Sequence, residues 1–337
     1  MPIISAENLS KVYRTVRRDP GLAGALKALV APRYEEKRAL DRVSFTVEPG
    51  EVVGYIGVNG AGKSTTIKLL TGILRPSGGV VRVLGRDPFR ERVANARDIG
   101  VVFGQRTQLW FELAVIESLD LIARIYDIEP ARYRQLLDEL DHTLGLGELL
   151  PVPVRNLSLG QRMRAELAAT LIHEPRVVFL DEPTIGLDLV VKDRLRALIR
   201  QEHERRGLTV VLTTHDLGDI EELCSRVLIV DAGQLVYDGP LARIKERLGT
   251  HRVLTFEVAR EVEAEAGRLS LPAGAEVVRA EGHALVVRLD RRQASASQVA
   301  AAVMNQLDVA DLAVAEPDLA TLVKQIYAGA LTAGQAG

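Results

Sequence analysis

From Ile3 to Val12 apolar and polar positions alternate as in a half-buried strand, and the alternation returns in RALDRVSFTVEPGEVVGYIG, from Arg38 to Gly57. Between them, Arg14 to Arg38 breaks the pattern and reads as an insertion. Val53–Ile56, Val101–Phe103, Val177–Leu180, Val210–Thr213 and Val227–Val230 are short, β-branched apolar runs of the kind buried on both faces of a parallel sheet. Helical periodicity separates most of them. Alternating strands and helices predict a three-layer α/β domain, and Leu113 to Leu150, nearly all helical in pattern, reads as a helical subdomain inserted into it.

The pattern changes after Gly239-Pro240. Strands are expected at 252–259, 275–280 and 284–289, helices at 260–269 and 295–306, a weak strand at 309–315 and a terminal helix at 317–328. That order predicts a small α+β domain of split βαβ type. The expected bounds are 1–245 for the first domain, with its helical subdomain at about 106–160, and 250–330 for the second. No internal repeat is visible.

Composition narrows the function classes. With 337 residues, 47% hydrophobic and 26% charged, the chain is long and apolar enough for two soluble globular domains. Lys plus Arg number 43 against 45 Asp plus Glu, so no global basic field draws nucleic acid or anionic lipid. Cys224 is the single cysteine, which excludes an internal disulfide and Cys-based zinc sites, fits a reducing cytosol and reads as a small buried apolar residue. The start, PIISAENLSKVY, lacks the basic and apolar stretches of a secretory signal, and no apolar run approaches the roughly 18 residues of a membrane span. Any membrane role is expected to come through a partner. Within 14–38 the net charge is +4, and GLAGALKALVA places Leu22, Leu26, Leu29 and Val30 at helical spacing, which reads as a short amphipathic helix, either packing its apolar face on its own domain or lying near a membrane surface or a membrane partner.

Gly57-Val58-Asn59-Gly60-Ala61-Gly62-Lys63-Ser64-Thr65 matches GxxxxGK[ST] between the strand VVGYI and the helical run TTIKLLTGIL. Glycines let backbone amides wrap phosphate oxygens, the helix N-terminus adds a positive dipole end, and Lys63 neutralises the β and γ oxygens. Ser64 is expected to ligate Mg²⁺. Val177 to Glu182, VVFLDE, is an apolar strand ending in two carboxylates. Asp181 is expected to hold the metal indirectly and Glu182 to polarise the attacking water.

Leu157-Ser158-Leu159-Gly160-Gln161, before the helical run RMRAELAATLI, resembles the LSGGQ signature of ATP-binding cassette (ABC) ATPases, with Leu159 in place of a glycine. In the family's order, Gln105 resembles the Q-loop glutamine, Gly186-Leu187-Asp188 the D-loop, His215 the switch histidine and Tyr13 the aromatic that stacks on adenine. The resemblance covers about residues 3–240 and implies a P-loop NTPase cassette that binds ATP and Mg²⁺ and hydrolyses ATP. It further implies that Gln105 contacts the metal and couples the site to the helical subdomain, that His215 contacts the γ-phosphate, that Ser158, Gly160 and Gln161 act at nucleotide held by a second subunit, and that Asp188 is a nucleotide-binding residue. The branch it most resembles is that of bacterial drug- and viologen-export ATPases. Implied partners are a second copy of the chain, facing it head to tail, and a separate polytopic inner-membrane permease at the cytoplasmic face. ABC-type ATPases acting on DNA or ribosomes usually carry a long coiled-coil insertion or two cassettes, and neither pattern is present, so no nucleic acid partner is expected.

Overall fold

The computed structural model describes residues 1–17, 33–104, 106–214, 216–248, 251–263, 266–315 and 319–327. The chain divides into two compact units at Gly239 and Pro240.

Strands of the first unit are β1 (Ile4–Arg17), β2 (Arg33–Val47), β3 (Val52–Gly57), β4 (Gly78–Val83), β5 (Ile99–Phe103), β6 (Val177–Asp181), β7 (Thr209–Thr213), β8 (Arg226–Asp231) and β9 (Gln234–Pro240). They form a three-stranded antiparallel sheet, β2-β1-β4, and a six-stranded sheet, β5-β6-β7-β3-β8-β9, parallel from β5 to β8. Every residue of β6 and β7 is buried, as their unbroken apolar runs require of strands covered on both faces. The core joins the two sheets: Ile4, Leu9, Leu40 and Val43 meet Tyr55, Ile67, Leu70, Phe179 and Leu228. Each such side chain contributes on the order of 1.5–3 kcal/mol by leaving water.

One expectation is corrected at the insertion. Arg14–Arg17 and Arg33–Arg38 do not interrupt a strand; they extend the β1–β2 ladder, with Val12 opposite Arg38, Tyr13 opposite Lys37 and Arg17 opposite Arg33. Pairing supplies each arm with backbone partners that polar side chains alone would not announce. Arg14 and Glu36 form a cross-strand ion pair at 2.8 Å. Residues 18–32, which hold the amphipathic stretch GLAGALKALVA, lie outside the described residues.

The predicted helical subdomain contains helices Val115–Ile125 and Pro130–Leu144, followed by Leu159–Leu171. Glu129 caps the second by accepting from Arg132 N, Pro130 opens it, and Gly145 closes it at φ 63°. Leu136, Leu140 and Leu144, one turn apart, form its buried stripe. No helix among the described residues is long and apolar enough to cross a membrane. Cys224 is buried, and burial pushes its thiol up to about 12.

His173 carries a pH dependence. Its ring stacks on Tyr126 with centroids 4.0 Å apart, Nε2 donates to Ile99 O at 3.0 Å, and Nδ1 is buried without a partner. Burial holds the imidazole below its ordinary value, helped by Arg206 and opposed by the Ile99 bond and Asp98. Folding therefore favours the neutral ring, and stability present above about pH 6.5 is lost as pH falls below that unfolded value. Thermal melts should show Tm falling by a few degrees from pH 7.5 to 5.5. The slope should flatten in His173→Gln, and an unchanged slope would remove His173 as its cause.

In the second unit β10 (His251–Val258), β11 (Ala275–Glu281), β12 (Ala284–Asp290) and β13 (Val309–Ala315) form an antiparallel sheet of order β11-β12-β10-β13. The helix Ala296–Met304 places Val299 and Val303 in its core with Leu254, Phe256, Leu285 and Val287. The helix expected at 260–269 is not formed by its described residues, of which only 266–268 make a single 3-10 turn. Ala259 N bonds Asp308 O and Val262 N bonds Gly282 O, so tertiary partners take the amides at its start.

Candidate functional site

The parallel sheet gathers the candidate chemistry at one edge. Phe103, Asp181 and Thr213 are register partners at the ends of β5, β6 and β7, and the loop after β3 runs Gly57 to Gly62 before the helix Lys63–Leu70. Gly62 sits at φ 112°, and a Cβ there would fall 2.7 Å from Ala39 O, so the loop requires glycine for both conformation and space. Lys63 is 6% exposed; its Nζ donates to Gly57 O at 2.7 Å and stands 4.0 Å from Glu182 Oε1.

Asp181 Oδ1 accepts from Thr213 Oγ1 at 2.6 Å and from Ser64 Oγ at 3.3 Å. The Thr213 hydroxyl in turn accepts from Glu182 N at 3.2 Å, and Thr213 O accepts from the same amide at 2.9 Å. Thr213, which the sequence pattern did not single out, thus fixes both neighbouring acids. Glu182 holds φ 54°, a left-handed conformation costing a non-glycine residue on the order of 1 kcal/mol.

A cleft of about 280 Å³ brings together Tyr13, Asn59, Gly60, Gly62, Lys63, Ser64, Thr65 and Glu182. Lys11 Nζ lies 5.5 Å from the Tyr13 ring centre, and Tyr13 OH is 3.4 Å from Thr65 Oγ1. Lys37 also lines this cleft, and sequence reading missed it because it sat within the supposed insertion. Its position opposite Tyr13 follows only from the strand pairing. Gln105 and His215 lie outside the described residues.

Ser158, Gly160, Gln161 and Asp188 do not line this cleft. Ser158 caps the helix Leu159–Leu171: its Oγ accepts from Gln161 N at 3.3 Å while Gln161 Oε1 accepts from Ser158 N at 2.9 Å. The reciprocal cap leaves the Ser158 hydroxyl proton free to be donated. Leu159 is 45% exposed, and a Cβ on Gly186, itself at φ 70°, would fall 2.9 Å from its Cδ2. Because Leu159 makes no bond that orders the cap, Leu159→Gly should change ATP hydrolysis by no more than about threefold. A loss of about a hundredfold in a steady-state assay would give the leucine a direct role.

Asp188 caps the helix Leu189–Arg206 by accepting from Val191 N at 2.9 Å. Three ion pairs tie this helix to Leu217–Leu223: Lys192–Asp216 at 2.5 Å, Arg196–Asp219 at 2.7 Å, and Arg200–Glu222. The Lys192 ammonium, followed by the Gly218 amide and Arg196, holds the Asp216 carboxyl below its ordinary value. On the signature helix, burial pushes the Glu166 carboxyl up, although Thr107 and Gln108 donate to it.

A sequence-family model described as ABC transporter matches residues 40–185. The chain is 38% identical over 268 residues, 78% of itself and 80% of the relative, to the daunorubicin resistance ATP-binding protein DrrA3 of Streptomyces coeruleorubidus. It is 38% identical over 233 residues to the Nod factor export ATP-binding protein I of Paraburkholderia xenovorans, covering 67% of this chain and 74% of that one. Among solved structures, the ATP-binding subunit of an ABC transporter aligns with a TM-score of 0.61 at 26% identity, over 73% of this chain and 93% of that one. A dimeric cassette in a post-hydrolysis state with ADP and Pi shares the fold at TM-score 0.59 and 23% identity, over 71% of this chain and 98% of that one. With the phosphate loop, the paired acids and this relationship in hand, the chain belongs to the ABC transporter family as an ATP-binding, ATP-hydrolysing subunit.

Proposed function

We propose that two copies of this chain close head to tail around ATP and drive a separately encoded polytopic permease, in the export direction, from the cytoplasmic face of the membrane. The observation that carries this reading is the shared cleft: Tyr13, the phosphate loop, Lys63, Ser64 and Glu182 meet in one subunit while Ser158 and Asp188 stand outside it. A site so divided is completed by a second subunit. Export-type relatives support the direction.

In this mechanism the Tyr13 ring carries the adenine, and amides of Gly60 and Gly62 with Lys63 neutralise the β and γ oxygens. Ser64 and Asp181, bridged at 3.3 Å, fit a hard divalent cation held by a hydroxyl and, at one remove, a carboxylate; Gln105 would join them. Bound Mg²⁺ supplies charge neutralisation of the phosphate oxygens. Glu182 orients the attacking water and takes its proton. Ser158, donating its free hydroxyl proton, and backbone amides near Gly160 meet the γ-phosphate of the partner's ATP, with Gln161 holding the cap and Asp188 facing the same nucleotide. His215 contacts the γ-phosphate from within the subunit. We read 250–330 as an accessory domain outside this chemistry.

Affinity purification of the tagged chain from solubilised membranes tests the reading. A polytopic membrane protein is expected to accompany it, together with ATPase activity abolished by EDTA. Ribosomal RNA or DNA in place of the membrane protein would overturn the transport assignment.

A further inference from the structure

The signature helix carries a buried acid to which the hydrolytic mechanism above gives no part. Glu166, about two turns past Ser158, is 5% exposed. Its Oε1 accepts from the Thr107 hydroxyl and from Gln108 N at 3.1 Å, and Oε2 lies 3.3 Å from the same amide. Gln108 Nε2 donates back to Glu166 O at 3.3 Å and to Thr170 Oγ1 at 2.7 Å, while Thr107 Oγ1 accepts from Leu109 N at 3.1 Å. One carboxylate therefore organises the stretch that follows Gln105.

The other end of that stretch is anchored elsewhere. Gly104 N donates to Asp181 O at 2.9 Å, where β6 delivers the metal-side acid. Arg106 N donates to Phe103 O at 2.9 Å, so residues 106–109 are bonded to the end of β5 on one side and to the signature helix on the other. A cleft of about 360 Å³, lined by Phe103, Gly104, Thr107, Leu159, Met163 and Glu166, opens beside it. Without the carboxylate, the Thr107 hydroxyl and the Gln108 amide, both part-buried, lose their acceptor, and the cleft leaves room for the loop to part from the helix. A purely apolar contact would hold the same surfaces together without fixing their register.

We propose that Glu166 is a positioning residue for ATP hydrolysis, locking residues 106–109 to the signature helix so that this helix follows the end of β6 where Asp181 stands. The proposal rests on the reading that Ser158 serves nucleotide held by a partner subunit. It makes the attitude of Ser158 depend on the state of the chain's own metal-side acid, through the end of β5, residues 106–108 and one carboxylate.

The test compares wild type, Glu166→Ala and Glu166→Gln by steady-state ATPase kinetics, by binding of a non-hydrolysable ATP analogue, and by hydrogen exchange of the nucleotide-free protein. In Glu166→Ala, kcat should fall about tenfold or more with KM and analogue affinity within about twofold, and the Gln108 and Leu109 amides should exchange faster. Glu166→Gln keeps one acceptor oxygen and should recover kcat to within about threefold of wild type. Unchanged kcat in folded Glu166→Ala, equal losses of affinity and kcat, or a glutamine variant no better than alanine would each overturn the proposal. If the alanine variant does not fold, Thr107→Val with Gln108→Ala removes three bonds from the loop side, the Thr107 hydroxyl to the carboxylate and the Gln108 side chain to Glu166 O and Thr170 Oγ1, leaving the carboxylate the backbone amide of Gln108, and unchanged kcat there overturns the proposal. Failure of the underlying functional reading would show instead as no recovery of activity in demonstrated mixed dimers of Ser158→Arg and Lys63→Ala subunits. In that case unchanged exchange at 106–109 in Glu166→Ala would still defeat the clasp.

Discussion

Glu182→Gln protein is expected to bind ATP with near wild-type affinity while steady-state hydrolysis falls by about two to four orders of magnitude. The amide keeps the shape of the side chain and its place 4.0 Å from the Lys63 ammonium, but loses the basic oxygen that takes the proton of water. The backbone at φ 54° is held by Thr213 through the Glu182 amide, so the substitution leaves the geometry of the turn intact. A dimer trapped by ATP should accumulate and be visible by size-exclusion chromatography. Lys63→Ala is the contrasting variant, since removing the cation from the phosphate cradle weakens nucleotide binding itself. Turnover of Glu182→Gln near the wild-type rate would leave Glu182 a structural acid.

Mixing Ser158→Arg subunits with Lys63→Ala subunits is expected to restore activity that neither has alone. In a mixed dimer both defects fall in one composite site, and the other combines an intact phosphate loop with an intact signature. Random pairing of equal amounts gives half mixed dimers with one good site each, so about a quarter of wild-type activity should return if the sites fire independently. The structure supplies the reason to expect sharing between chains: Ser158 is absent from the cleft that holds Lys63. No recovery in demonstrated mixed dimers would mean that each chain hydrolyses ATP by itself.

The phosphate loop and the two acids were legible because their chemistry is local. Nine consecutive residues fix the loop, and VVFLDE carries both its burial and its charge in one run. What escaped was chemistry assembled across the chain. Lys37 reaches the nucleotide cleft only through pairing with β1, Thr213 reaches Asp181 only through the order of β6 and β7, and Glu166 gains meaning only from Thr107 and Gln108. The paired arms 14–17 and 33–38 look like an interruption in sequence because their polar residues hide the backbone ladder that makes them strands. In the second unit, local helical preference at 260–269 yielded to amide partners on distant turns, which no window of sequence contains.

The three ion pairs between the helices Leu189–Arg206 and Leu217–Leu223 are driest in the middle of the seam and wettest at its Glu222 end. Arg200 and Glu222 are about half exposed at 50% and 49%, Lys192 and Asp216 less so at 22% and 32%, and Asp219 is 1% exposed beneath Arg196. Mobile ions screen the outer pair strongly and the inner one hardly at all. Rising ionic strength should therefore fray the seam from its Glu222 end, while Arg196 and Asp219 act as the pivot that stays closed. The end beside Asp216 holds its spacing to Asp188 longer than the Glu222 end holds its own, which makes the region around the nucleotide more tolerant of salt than the outer end of the same helices.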